Sequence, residues 1–581
     1  MLPIEETVRA RRRIVLFAIA CAVIVLLSFL AYAPVRHAGF LQDDRPIVEI
    51  NPTVHRGDWA EIFSTDYWGG VGGSETSLYR PVTILSFALE RGRDGRVELS
   101  RSHLLNVLLS ALAAVALMVL ARRIGLGPWA SFLAGGLFAL HPLHVSVVAG
   151  LVGRAEILAA LFTLVALVLQ SRAGEWTIPG ARASSPGPLA SRLSSWGAAL
   201  SVFCALCSKE VALAAPILLG AQEVLFRRPP AGQRRGRFLV ERAAALAPSA
   251  LAVAIYALLR VRALGVFPGL QRPRLSENVL VGLDGAPRLF TALGIAGRYF
   301  RLLVFPHPLS ADYSGNVIGA EKSLLAPLPL LGLAWLAVLA ALASAPLLAR
   351  SLRTRASFAA LLFLLPYLSV GNLLVLVGIG FAERLAYVPS AGFCLLCALL
   401  LAGTFALDDP SKLRARRVAG GAIALGILAL GFWQTRIVTR DWRSVETVFA
   451  AAARSTPASP RAQFTLGKIW LDRGRTDDAL RQFQKTVDLW PDFSAAWYEK
   501  GVLEQARGAS SIAERSFRQA LRVNPWHADA AAALGDLLLA SGQDREAFGF
   551  YRRAARFGRR DVVPKLREIL QRRGPGASPI P

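Results

Sequence analysis

Two adjacent carboxylates stand out in the loop after the first apolar run, which reads Gly39-Phe-Leu-Gln-Asp43-Asp44-Arg45-Pro. They follow the run closely enough to lie near a membrane surface. A carboxylate there can take a proton from an attacking hydroxyl, or hold a divalent cation that carries a phosphate. The plain alternative is a solvated turn or a helix cap. The same loop continues with Asp66-Tyr67-Trp68-Gly-Gly and Leu78-Tyr79-Arg80-Pro81. Tyr and Trp can stack on sugar faces, or simply anchor the loop at the interface.

Other ionisable residues cluster at the ends of later apolar runs. They are His141-Pro-Leu-His144, Arg154-Ala-Glu156, Ser208-Lys209-Glu210, His307 with Asp312 and Tyr313, and Glu383-Arg384. Charge at membrane depth is costly, so such residues are usually functional or paired. Arg154, Lys209 and Arg384 are expected on the same face as Asp43 and Asp44, where cations suit a lipid phosphate. The competing reading makes them structural pairs, Arg154 with Glu156 and Arg384 with Glu383. His141 and His144 alone are too few for a metal site, and helix-end hydrogen bonding is the expected role. The cofactor stays unknown: a divalent cation at Asp43/Asp44 is open, and nothing in the sequence requires one.

The elements that must position these groups are membrane helices. The chain has 581 residues, 54% apolar and 18% charged, with a net charge of +26. In a soluble protein that charge would suggest nucleic acid. Here six patches between apolar runs (9–13, 122–123, 172–192, 227–242, 350–355 and 412–417) hold 22 Arg/Lys against 2 acidic residues. Basic inter-helix loops mark the cytoplasmic side of a membrane protein, so no nucleic-acid partner is implied. Eleven spans are expected: 14–33, 102–121, 127–145, 155–170, 195–208, 211–226, 243–260, 325–348, 357–377, 387–406 and 416–435. The N-terminus is then cytoplasmic, the first run is an uncleaved span, and loops 35–101 and 261–324 lie outside. Residues 288–305, interrupted by Arg298 and Arg301, are read as an interfacial helix. If they crossed, patches 350–355 and 412–417 would be outside. The five cysteines lie in apolar segments, two pairs with CxxC spacing. That spacing permits redox or metal chemistry, but small buried residues one turn apart are the expected reading.

Beyond residue 435 the sequence repeats with a period of 34. Gly467, Gly501 and Gly535 align, as do Ala479, Ala513 and Ala547, then Phe483, Phe517 and Tyr551, then Pro491 and Pro525. This is the tetratricopeptide (TPR) pattern of stacked helical hairpins. A partial unit precedes them, with Phe449 and Pro457 in phase and Trp442 as a cap against the membrane. The expected architecture is all-α: a polytopic helical membrane domain over 1–435, a TPR α-solenoid over 436–571 and a disordered tail over 572–581. Stacked hairpins form a concave binding surface, or serve only as a spacer.

Together these pieces resemble the transmembrane-and-TPR O-mannosyltransferases and their bacterial relatives, membrane glycosyltransferases of the GT-C fold. The resemblance runs collinearly through Gln42-Asp-Asp-Arg45, Asp66-Tyr-Trp-Gly69, Tyr79-Arg-Pro81, His103-Leu-Leu-Asn106, His141-Pro-Leu-His144, Gly153-Arg-Ala-Glu156, Ser208-Lys-Glu210, Arg298-Tyr-Phe-Arg301, Phe305 to Tyr313 and Glu383-Arg384. Gln42 departs from the aromatic or apolar residue common in relatives. The resemblance implies transfer of a sugar, mannose or another hexose, from a polyprenyl-phosphate donor to an acceptor hydroxyl, with Ser/Thr of a protein as the leading acceptor. It implies an essential acid in the first outer loop, here Asp43 with Asp44 as alternative or helper. Arg154, Lys209 and Arg384 are candidates for the donor phosphate by charge and side. Arg80, Glu156, His141, His144, His307, Asp312, Tyr313 and Glu383 complete the candidate site. The expected setting is a bacterial inner-membrane-type multi-pass protein with extracytoplasmic TPRs that hold the acceptor. A non-catalytic TPR scaffold for an envelope complex is the alternative. A transporter fits less well, since the charges favour loop ends over midplane sites.

Overall fold

The computed structural model describes residues 2–41, 43–70, 78–172, 187–227, 233–265, 275–348, 354–409 and 413–573. The chain divides into two compact units, residues 1–311 with 320–448, and residues 312–319 with 449–581. Among the described residues the regular elements are helical, and the one extended pairing is an isolated bridge between Arg91 and Val97.

In the first unit the chain runs through α1 (Leu2–Tyr32), the short α2 (Pro81–Ala88), α3 (Leu99–Arg123), α4 (Pro128–Leu140), α5 (Arg154–Gln170), α6 (Pro188–Leu206), α7 (Ala214–Phe226) and α8 (Arg235–Leu264). It continues through α9 (Gly285–Val304), α10 (Pro327–Leu348), α11 (Thr354–Val370), α12 (Tyr387–Phe405) and α13 (Arg414–Asp441). Among the described residues 8 helices are long and apolar enough to cross a membrane. A ninth span is α4 with the helix after Pro142, bent by 45°. The other two expected spans are the shorter α7, of 13 residues, and α11, of 17 residues.

The bend follows from one proline. The carbonyl of Phe138 would normally pair four residues on, but Pro142 has no N–H. His144 Nδ1 donates to that carbonyl instead, at 2.8 Å. His141 Nδ1 accepts from the Leu143 amide and its Nε2 donates to the Leu303 carbonyl at 2.9 Å. Both histidines therefore satisfy backbone groups at a helix break, as bilayer depth demands.

Residues 288–305 belong to α9. Before it, Asn278 Nδ2 donates to Asn372 Oδ1 at 2.9 Å and to the Val377 carbonyl at 2.8 Å. After it, the Ser310 amide donates to Glu383 Oε1 at 2.6 Å. Both flanks thus meet the single loop between α11 and α12, so α9 returns to the end it left. Its contact with α10 is close because glycines face backbone: a Cβ on Gly297 would lie 2.1 Å from the Leu328 carbonyl oxygen. Small residues of this kind let membrane helices approach.

The second unit is the repeat array. Helices α15 (Pro460–Asp472) and α16 (Thr476–Leu489), α17 (Ser494–Ala506) and α18 (Ser510–Val523), and α19 (Ala528–Ala540) and α20 (Asp544–Arg556) form hairpins; α14 (Val445–Ser455) begins in the first unit, and α21 (Val563–Arg573) follows the last hairpin. The repeated glycine meets the repeated aromatic, as its spacing predicts. A Cβ on Gly501 would lie 2.6 Å from the Phe517 ring, with Gly467–Phe483 and Gly535–Tyr551 alike. Residues 312–319 are built into this unit. Asp312 Oδ2 accepts from the amide and hydroxyl of Ser314 and from Ser459 Oγ, and the Asp312 carbonyl accepts from Thr456.

One expectation changes. The break at 435 falls inside α13, which runs on to Asp441, so the units part at 448/449. Trp442 packs on the core of the first unit near Gly150. Most of the expected tail, 574–581, lies outside the described residues, as do parts of the basic patches. Cys21, Cys204, Cys207, Cys394 and Cys397 are all free thiols.

In a cysteine-free background, single cysteines at the exposed positions Asp284 and His307, flanking α9, should react with an impermeant thiol reagent from one and the same side. Labelling from opposite sides would show that α9 crosses.

Candidate active site

The first loop folds on its own apolar core. Ile47, Val54, Ile62, Tyr67, Ile84 and Phe87 pack with Leu151 of the turn before α5. Asp44 fastens the loop there. It is fully buried, and its two oxygens accept the Leu41 and Val152 amides, each at 2.9 Å. Burial pushes its carboxyl up to about 7, against the pull of these amides, that of Leu151 included. Asp43 is partly exposed and makes no side-chain hydrogen bond or ion pair among the described residues. The adjacent pair therefore splits into a buried anchor and an available carboxylate.

Arg154 is fully buried at the start of α5. Its Nε donates to Asn106 Oδ1 at 2.7 Å, and its Nη2 donates to the Ser102 carbonyl at 3.0 Å and hydroxyl at 2.8 Å. Its Nη1 pairs with Glu90, and the guanidinium lies 4.1 Å from the Phe87 ring centroid. Four of its five N–H groups are taken by these bonds. This corrects its expected role: the guanidinium has no face for a donor phosphate, and its partner is Glu90 rather than Glu156. Asn106 Nδ2 also donates to the Gly150 carbonyl at 3.1 Å, so Arg154 and the turn that holds Asp44 are set together.

Glu156 pairs instead with Lys209, both almost fully buried. Burial lowers the Lys209 ammonium to about 8; Glu156 resists the fall, while Arg80 and Arg384 add to it. Arg80 donates to Glu210 Oε2 at 2.9 Å and lies 5.0 Å from the Tyr67 ring centroid. Arg260 of α8 is 3.6 Å from the other Glu210 oxygen. The Tyr67 hydroxyl is buried without a hydrogen-bond partner, within electrostatic reach of Asp43, Asp44, Arg80 and Glu156. Arg384 is partly exposed, close enough to Lys209 to act on it, and makes no side-chain hydrogen bond or ion pair among the described residues.

One end of the helix bundle thus gathers Asp43, Asp44, Tyr67, Arg80, Arg154, Glu156, Lys209, Glu210 and Arg384. Glu383 is nearby but accepts the Ser310 amide. His141 and His144 hold the α4 break, and His307 is exposed on the loop after α9. Asp312 and Tyr313 belong to the repeat unit. Sequence reasoning missed Glu90, Ser102 and Arg260. Glu90 and Arg260 were detectable as the first charges at the ends of apolar stretches; Ser102 carried no signal.

The donor set at Asp43 does not suit a cation. Both Asp44 oxygens face backbone N–H groups, Glu156 is neutralised by Lys209, and no cluster of three His, Cys, Asp or Glu residues occurs among the described residues.

The chain is similar to known proteins along most of its length. A tetratricopeptide repeat model matches residues 439–494, 471–511 and 498–561. The mouse protein O-mannosyl-transferase TMTC4 is 27% identical over 80% of this chain and 65% of its own length. The human protein O-mannosyl-transferase TMTC1 is 27% identical over 83% of this chain and 56% of its own. The match therefore spans less than two thirds of these relatives. An Archaeoglobus fulgidus oligosaccharyltransferase tethered to an acceptor peptide aligns with 80% of this chain and 58% of its own, at 14% identity and a TM-score of 0.41. The resemblance to transmembrane-and-TPR O-mannosyltransferases holds along most of the chain.

Two stability outcomes separate anchors from available charges. Arg154→Met strands Glu90 and should cost about 3–5 kcal/mol, whereas Arg384→Met should leave unfolding within about 0.5 kcal/mol of wild type; denaturant unfolding in detergent measures both. The second concerns Asp44, whose folded value lies above its unfolded value near 3.9. Its stabilising effect is complete below about pH 4 and is lost as pH rises to about 7. Asp44→Asn should remove that slope from a stability-versus-pH curve and, by facing an amide with an amide, lower stability by about 1–3 kcal/mol at pH 5.

Proposed function

We propose that this protein transfers a hexose, with mannose as the leading candidate, from a polyprenyl-phosphate donor to Ser or Thr hydroxyls of a protein acceptor. The observation that carries the reading is the pairing pattern. In a cluster where every other charge is neutralised or anchored, Asp43 and Arg384 are the opposite charges without partners among the described residues. Glycosyl transfer from a lipid phosphate requires that combination. An acceptor oxygen attacks the anomeric carbon, its proton passes to Asp43, and the carbon–oxygen bond to the phosphate breaks. The departing phosphate gains negative charge as that bond lengthens, and Arg384 with Lys209 meets it. Electrostatic groups set in advance for developing charge are usually the largest contribution to such catalysis. The similar proteins carry the name protein O-mannosyl-transferase, which supports the same chemistry.

The reaction is assigned to the extracytoplasmic side. The loops that build the site are separated by pairs of helices: α3 with α4, α5 with α6, α7 with α8, and α10 with α11. Arginines gather at the other end, where Arg122 and Arg123 close α3 and Arg355 Nε donates to the Ile124 carbonyl at 3.1 Å. Basic residues favour the cytoplasm, so the site would face away from it. Segment 312–319 and residues 449–581 share one unit, hence one side of the membrane, with four helices between them. The repeats would then lie on the side of the site and hold the acceptor.

Purified protein with polyprenyl phosphate mannose and a Ser/Thr-rich peptide should yield a hexosylated peptide by mass spectrometry. Asp43→Asn should lower the rate roughly 10²–10⁴-fold while leaving the melting temperature unchanged. Full activity in that variant would remove Asp43 from the mechanism. The Lys209 charge is present below about pH 8 and lost above it. The KM for the donor should therefore rise on going from pH 7 to pH 9, and Lys209→Arg should abolish that rise.

A further inference from the structure

At the end of the bundle opposite the site, α4 and α13 part from one another. Near the site they are in contact: Leu428 lies 3.1 Å from where a Gly136 Cβ would be, and Thr435 Oγ1 donates to the Leu140 carbonyl at 2.8 Å. Toward the other end they open into a groove of about 380 Å³, walled by Trp129, Phe132, Leu425 and Leu428, with Arg414 and Arg417 at its mouth. That volume is within the range of roughly 300–1,000 Å³ typical of ligand pockets.

The charges at the mouth have no counterpart among the described residues. Arg416 is used, its Nε donating to the Thr404 carbonyl at 2.8 Å. The side chains of Arg414 and Arg417 make no hydrogen bond or ion pair there, and Arg417 Nε is shut off from solvent without an acceptor. All three arginines sit in the first turn of α13, at the positive end of the helix dipole, where cations are unfavourable. A bound anion would offset that cost. It would not sit on the α4 N-terminus, because Asp408 already accepts the Trp129 amide at 2.9 Å and the Ala130 amide at 3.2 Å.

We propose that this groove binds one glycerophospholipid with an anionic headgroup, drawn from the leaflet at that end of the helices. An acyl chain lies along Phe132 and Leu425, and the phosphate meets Arg414 and Arg417. Trp129, which is 65% exposed, marks the headgroup level. The site is separate from the glycosyl-transfer cluster and does not depend on that assignment.

The test uses the full-length protein in nanodiscs of equal phosphatidylglycerol and phosphatidylethanolamine, followed by native mass spectrometry. Wild type should retain one phosphatidylglycerol well above the bulk ratio. Arg414→Gln with Arg417→Gln should weaken that preference ~30-fold. Gly421→Phe should abolish it with both arginines intact, because a side chain on Gly421 enters open space on the groove wall. Asp43→Asn should retain the lipid as wild type does. Retention of the two lipids in bulk ratio by wild type overturns the proposal without recourse to any variant. Wild-type retention by both variants overturns it as well.

Discussion

A guanidinium buried inside a helix bundle cannot stay unneutralised, and the way Arg154 is neutralised sets the geometry of the first loop. Transfer of a bare charge into low dielectric costs many kcal/mol, so the residue is tolerable only where partners surround it. Glu90 reaches it from the end of α2, Ser102 and Asn106 from α3, and Phe87 covers its face. Asn106 also holds the Gly150 carbonyl, and the following turn offers the Val152 amide to Asp44. Gly153 is part of the same arrangement, since a Cβ there would lie 2.0 Å from the Val147 carbonyl oxygen. From a single buried cation the path leads to the anchor of the loop, and from the anchor to the neighbouring Asp43.

The same constraint sorts the remaining charges by role. Lys209 with Glu156, and Arg80 with Glu210 and Arg260, are too buried to exist apart from their partners. Such pairs give little net stability compared with apolar packing, but they fix which elements lie together. They join the first loop and α5 to the turn between α6 and α7. What the pairs leave over is chemically more informative than the pairs themselves. A partly exposed carboxylate and a partly exposed guanidinium, without partners among the described residues, lie at the edge of this network. Tyr67 adds a buried hydroxyl with no acceptor between them and the pairs.

Much of this was legible in the residues. Apolar runs predicted the helices because a bilayer admits few alternatives. The 34-residue period predicted the hairpins because each glycine must face an aromatic of its own repeat. The convergence of Asp43, Lys209 and Arg384 followed from alternation of helices. Which carboxylate partners which cation did not follow. Arg154 and Glu156 are two positions apart on one helix, a spacing at which side chains do not face each other, and tertiary packing supplies Glu90 from sixty-four positions away. Nor does sequence distinguish Asp43 from Asp44. The distinction lies in two backbone amides, one of them contributed by a turn more than a hundred residues on. Asp312 looked like a site residue for the same reason: its chemistry is ordinary, and only its contacts with Ser314, Ser459 and Thr456 assign it to the repeats.

Both flanks of the arginine-interrupted helix α9 meet one loop, that between α11 and α12, and Arg298 and Arg301 would make a crossing expensive. Helices α10 to α13 separate segment 312–319 from residues 449–581, and their number is even. A fifth crossing there would place two parts of one folded unit on opposite sides of a bilayer, which no packing could reconcile.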